Sequence, residues 1–284
     1  INLTFIEKCM QENGSFINYI NFNHKFPTTQ NMQEDLEDAH ARAVWALSEI
    51  MSNEKLTQSL RNQAKMIFCR VFDKSIAFTH LRSKAFIIKA FALTIPVLPE
   101  KSTEMTRCIK KYSDSLVASA KDHSDLSWHW YENHLHYSNG LLPESLFIAG
   151  DITGNTQYTT SALKTLRFLI GKTFSATMYR PIGHSQWYKK NQTRSYYDQQ
   201  PEDPTSMIQV LARAYTELHQ EEYKNLAKRC FSWFMGNNSL HLPLYDFASG
   251  GCYDGLHPDR VNLNQGAESL ISFHMSRYII KELH

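Results

Sequence analysis

Residues 245–269, YDFASGGCYDGLHPDRVNLNQGAES, bring Tyr245, Asp246, Tyr253, Asp254, His257, Asn262, Asn264, Gln265 and Glu268 into one turn-rich run. Carboxylates and amides pair with hydroxyl groups, aromatic faces cover C–H groups, and glycine lets a backbone come close to a ligand. That chemistry suits a polyhydroxylated molecule. The competing reading is a solvated loop whose Asp and Asn residues only shape turns.

Three more stretches have the same character. In EDLEDAH, Asp38 faces a cleft with His40 and Arg42 beside it, or else Glu37 and Asp38 simply complement the start of a helix dipole. In WHWYENHLHYSNGLLPES, Trp128 and Trp130 flank Glu132, with Tyr137, Asn139 and Glu144 following. A carboxylate among indole rings loses water, which raises its pKa and suits it to general-acid work; alternatively the two Trp residues are core anchors. His129, His134 and His136 lack a matching His or Cys pair for a closed site, so no metal and no cofactor is expected. In GHSQWYKKNQTRSYYDQQPEDPTS, Trp187 is a stacking platform and Asp198, Gln199 and Gln200 stand just before a helix that Asp203 or Thr205 caps. Glu268, preceded by Asn264 and Gln265, falls in the first turn of the last helix. There the dipole favours an ionised carboxylate, as a general base or as a stabiliser of the helix.

The elements that position these residues are helices. Apolar residues recur at helical spacing over 39–51, 56–72, 82–95, 104–120, 142–152, 158–171, 205–218, 222–236 and 266–280, and the first dozen residues add a tenth candidate. The single strand candidate, 173–183, pairs locally with QWYKK or not at all. Short turns such as DITGNT and LHQEEY make antiparallel hairpins the natural unit. Hairpin-opening helices begin near 38, 82, 142, 205 and 265, each after a long loop. Stacked hairpins would bring those rich loops to one end, which favours a cleft over four unrelated turns.

The chain of 284 residues, 42% apolar, is long enough for one large domain spanning 1–284. Thirty Lys and Arg against 28 Asp and Glu leave a net charge of +2, which gives no field for nucleic acid or an anionic membrane and suits neutral ligands. No run of 18 apolar residues spans a membrane, and no basic segment followed by an apolar one opens the chain. Five widely spaced cysteines form no C-x-x-C pair or disulfide framework and read as buried thiols, favouring a cytoplasmic setting. Ile1 in place of Met leaves open whether a leader was removed or the chain belongs to something longer. G-x-S-x-G, the phosphate-binding G-x-x-x-x-G-K-[ST], G-x-G-x-x-G after a strand, and H-E-x-x-H are absent.

In order, EDAHARAVWAL, WHWYENHLHYSNGLLPESLFIAG, PIGHSQWY, YDQQPED, YDFASGGCYDGL and VNLNQGAES resemble bacterial α/α-toroid domains attached to, or encoded beside, glycosyltransferases and mannoside phosphorylases. They also look like distant relatives of the six-hairpin glycosidases. The resemblance implies an all-α (α/α)6 toroid with its long loops at one end, an oligosaccharide or monosaccharide ligand, and a glycosyltransferase or phosphorylase partner. Three functions follow. One is metal-independent glycoside hydrolysis of neutral, mannose-containing glycans, with Glu132 as acid and Asp198 or Glu268 as base. The second is a non-catalytic glycan-binding domain using Trp128, Trp130, Trp187 and Tyr253. The third is sugar epimerisation with a His pair drawn from His40, His184 and His257.

Overall fold

The helical periods became helices. A computed structural model describes residues 2–21, 23, 25–26 and 28–283; Ile1, Phe22, His24, Pro27 and His284 lie outside them. In chain order the elements are α1 (Asn2–Cys9), α2 (Thr28–Gln33), α3 (Glu37–Ser52), α4 (Gln58–Ser75), α5 (Leu81–Thr94), α6 (Ser102–His123), β1 (His134–Leu135), α7 (Leu141–Thr153), α8 (Thr156–Thr173), β2 (Tyr188–Lys189), α9 (Glu202–Leu218), α10 (Glu221–Phe231), β3 (Gly255–Leu256), β4 (Val261–Asn262) and α11 (Ala267–Glu282). All nine periodic segments are present, and the opening residues do form a helix. The class is all-α. No described helix is long and apolar enough to cross a membrane.

The chain divides into two compact units, Ile1–Ser115 with Ile148–Asn155, and Leu116–Phe147 with Thr156–His284. In the first, α3 packs against α4 and α5. Ala41, Val44 and Leu47 on α3 and Phe68, Phe72 and Phe91 on α4 and α5 are fully removed from water, with the Phe72 and Phe91 rings stacked at 5.3 Å. Helix α5 is buried on nearly every side, as an inner helix must be, whereas α4 buries one stripe.

In the second unit α9 packs against α10 and α11. Nearly every residue of α9 from Asp203 to Leu211 is buried, while α10 is amphipathic, with Glu221 and Glu222 in its first turn and Lys228 and Arg229 in its last, both favourable to its dipole. Small residues let α9 and α11 approach: the Thr205 hydroxyl lies 3.0 Å from Ser276 Oγ and donates to the Ser272 carbonyl at 3.0 Å. Thr205 also bonds back to Pro201, so it does not cap α9 as expected; Pro201 occupies the cap position without a side-chain hydrogen bond.

The short strands correct the strand expectation. Tyr188–Lys189, within QWYKK, pairs with His134–Leu135 and not with 173–183, whose own pairing is the Phe174–Tyr179 bridge. Leu135 is fully buried and sets that register. All five cysteines are free thiols, buried except Cys69.

Candidate functional site

The three rich loops of the second unit are bonded to one another. The first, 128–144, meets the second through β1–β2 and through Ser138, whose N–H donates to Asp203 Oδ1 at 3.1 Å and whose hydroxyl donates to Glu202 Oε1 at 2.6 Å. The second, 183–205, meets the third where Gln199 and Leu256 exchange both backbone bonds at 2.9 Å, and where His257 Nδ1 donates to Asp198 Oδ1 at 2.6 Å. Two glycines make this closeness attainable: a Cβ on Gly183 would collide with the Tyr197 backbone, and one on Gly255 with the Gln199 carbonyl.

His184 lies at the centre of the second loop. Its backbone N–H donates to the Asp198 carbonyl at 2.8 Å, and its Nε2–H donates to Asp203 Oδ2 at 2.7 Å. Asp203 is 3% exposed, and the His184 side chain 14%. Since Nε2 serves the carboxylate, Nδ1 is the nitrogen left for a ligand. The half-buried Trp187 ring sits 4.2 Å from the imidazole, with His136 and Tyr137 on its other contacts.

The electrostatics follow from this packing. Burial opposes the charged form of His184, but the hydrogen bond and charge of Asp203, with Glu202 and Glu268 behind it, outweigh burial and raise its pKa above 6.5. Burial likewise raises the Asp203 carboxyl, against the pull of His184. His257 and Asp198 form a second imidazole–carboxylate pair, more exposed, with His257 Nε2 left for a ligand. Glu268 is exposed in the first turn of α11, as its place in the sequence implied, and Gln200 and Tyr253 are half-buried.

Several expected ligand contacts prove to be internal supports. Trp130 is fully buried and Trp128 is 2% exposed with its indole N–H donated to the Glu132 carbonyl, so neither ring offers a face to a sugar. The Gln199 amide is 1% exposed, accepting from Trp233 Nε1 at 2.8 Å and donating to the Tyr196 carbonyl and Ser239. Asn139 binds both the N–H and carbonyl of His136. Asp254 accepts from Gly266 N–H and Ser269 Oγ, each at 2.7 Å, and so caps α11, a helix with no cap of its own. Gln265 is tied to Asp246 and Ser249 and Asn264 to Asn262, although both remain exposed.

In the first unit, Arg42 holds Asp38 at 2.7 Å as expected. His40 is not a ligand group: it is 5% exposed between the edges of Phe16 and Phe78, and burial, then the Lys74 charge, lowers its pKa to about 4. The residue that sequence reasoning misjudged most is Asp203, taken for a helix cap because prolines flank it. Its true partner lies 19 positions earlier, a distance no local pattern reports.

No family model and no curated protein matches this sequence. Solved structures do. An unsaturated glucuronyl hydrolase specific for heparin superposes with a TM-score of 0.66 at 12% identity, covering 99% of this chain and 80% of its own. The GH76 α-mannanase of Bacteroides thetaiotaomicron gives 0.65 at 11%, covering 99% and 76%. Cellobiose 2-epimerase of Bacillus thermoamylovorans gives 0.61 at 11%, covering 99% and 95%. The chain therefore shares the α/α-toroid fold of these structures.

Proposed function

We propose that this chain is a carbohydrate-processing enzyme whose acid–base centre is His184, held by Asp203 beneath Trp187, with His257 and Asp198 as a second proton-transfer pair. The observation that carries the reading is the direct link between the two pairs: the residue that orients His257 also accepts the backbone N–H of His184. The saccharide substrate is supported by the solved structures that share the fold, each named for an activity on sugars. Two imidazoles, each with one nitrogen committed to a carboxylate, suit removal and return of a proton beside the carbonyl of a reducing sugar, as in epimerisation or isomerisation. Asp203 fixes the tautomer and favours the imidazolium; Trp187 offers an apolar face to the sugar ring.

A second reading is favoured by the charges around His184. Glu202 and Glu268 act on it electrostatically, so carboxylates as well as imidazoles gather here, as glycoside hydrolysis of a neutral, mannose-containing glycan requires. Glu132 would then be the acid and Asp198 or Glu268 the base, roughly 5 Å apart for retention or 6.5–9.5 Å for inversion.

The deciding experiment incubates the protein in D2O with mannose, glucose, cellobiose and manno-oligosaccharides, with and without phosphate, and follows products by NMR. Deuterium entering beside the carbonyl, abolished in His184→Ala, is the expected result. Shortened oligosaccharides abolished in Glu132→Gln would replace it with the hydrolase, and phosphate dependence would identify phosphorolysis. Saturable sugar binding without product would leave a glycan-binding domain that serves a glycosyltransferase or phosphorylase.

A further inference from the structure

Glu132, His134 and His136 each present one ligand atom, and these atoms lie within 4.8 Å of one another. We propose that these three side chains bind a divalent transition-metal ion of the zinc class, a site separate from the His184–Asp203 pair.

The arrangement follows from the backbone. On β1, Leu135 turns into the core and His134 to the other side, and His136, the residue after the strand, brings its ring beside that of His134, both half-buried. Pairing with Tyr188–Lys189 fixes the strand, Asn139 clamps both backbone groups of His136, and Trp128 holds the Glu132 carbonyl. Trp187 packs against the His136 ring at 5.2 Å. The ligand carriers are thus fixed by groups that do not themselves bind metal, the support such sites need.

The donor chemistry is that of two neutral imidazoles and one carboxylate, which suits zinc and its neighbours better than magnesium or calcium. The imidazole ring centroids lie 3.6 Å apart, tilted by 35°, so the two side chains are neighbours on one side of the strand. Glu132 Oε1 is already 3.5 Å from His134 Nε2. Metal–ligand bonds of about 2.0–2.1 Å place tetrahedral donors roughly 3.3 Å apart, so rotation of side chains alone closes the set and leaves a fourth position for water or a sugar hydroxyl. Lys189, opposite His134, is exposed and keeps its ammonium in water. Glu132 bound to a metal is no longer a proton donor, so this site and the hydrolytic role of Glu132 exclude one another.

A second cluster in the first unit, Asp35, Glu37 and His80, has comparable spacing; there Glu37 accepts from the N–H groups of Thr79 and His80, and His80 Nε2 contacts Asp35 at 2.6 Å. It serves as the control.

The test uses tag-free full-length protein carrying Cys69→Ser, stripped with chelator, then dialysed against Zn2+ and, separately, titrated with Co2+ while the visible d–d bands are recorded. One equivalent of metal is expected, with affinity falling roughly tenfold or more in His134→Ala and His136→Ala and unchanged in His80→Ala. Glu132→Gln, a near-isosteric change, should also weaken binding, and circular dichroism confirms that each variant is folded. Failure of the parent protein to take up stoichiometric metal overturns the proposal. So does uptake that survives in folded His134→Ala, His136→Ala and Glu132→Gln, or that is lost only in His80→Ala.

Discussion

A carboxylate taken out of water costs several kcal/mol unless it is partnered, and Asp203 has two donors, the Ser138 N–H and the His184 ring. Its charge in turn keeps the imidazolium to higher pH. The linkage has a definite sign: the raised pKa contributes stability that is fully present below the unfolded-state value near 6.5 and is lost as pH rises through the folded-state value. Asp203→Asn should therefore move the His184 limb of the kcat/KM profile to lower pH and lower the rate, whereas a residue that merely packed would leave the limb in place. At the residue scale the sequence offered His184 as a candidate but not its pairing with Asp203, which was read as a helix cap. Nothing in HSQW or PEDP states that the two meet, and the abundance of indole in WHWY drew attention to rings that the core consumes. Aromatic content tells how much surface there is to bury, not which face remains outside.

Elements were legible to within a few residues wherever burial has one sided periodicity, because 3.6-residue spacing survives in sequence. The two-residue strands were not, because nothing local distinguishes Tyr188–Lys189 from a turn; its partners lie more than fifty positions earlier, in the register His134↔Lys189 and Leu135↔Tyr188. The same holds for the segment before α9. Gln199 reads as a ligand group there, yet its amide joins that segment to Trp233, beyond α10, and to Ser239. Gln199→Leu should leave the Trp233 N–H buried without a partner, at a cost of about 1–3 kcal/mol in urea unfolding. Gln199→Glu, which keeps the acceptor, should retain part of that stability at a pH where the new carboxyl is ionised.

For the molecule as a whole, pH stability is governed in part by a group that takes no part in the proposed chemistry. His40 is neutral in the folded chain because burial holds its pKa near 4, so the unfolded state binds the extra proton between pH 6.5 and 4. Stability is full above about 6.5 and falls as pH drops, by about 3 kcal/mol at pH 4. Replacing His40 by Leu, which carries no titrating group into the space between Phe16 and Phe78, should flatten this part of the denaturant-midpoint curve between pH 7 and 4.5; an unchanged slope would locate the acid sensitivity elsewhere.

The mutual bonding of the three long loops also bears on how such a scaffold diversifies. The 183–205 segment contributes one partner to each junction, so transplanting a single loop from a relative would leave unmatched groups at its neighbours: a bare Leu256 backbone, an unaccompanied Ser138, or a His257 without its carboxylate. Such bonding would favour exchange of the loops as a set, and new specificity would arise more readily by exchanging side chains at their tips than by exchanging single loops.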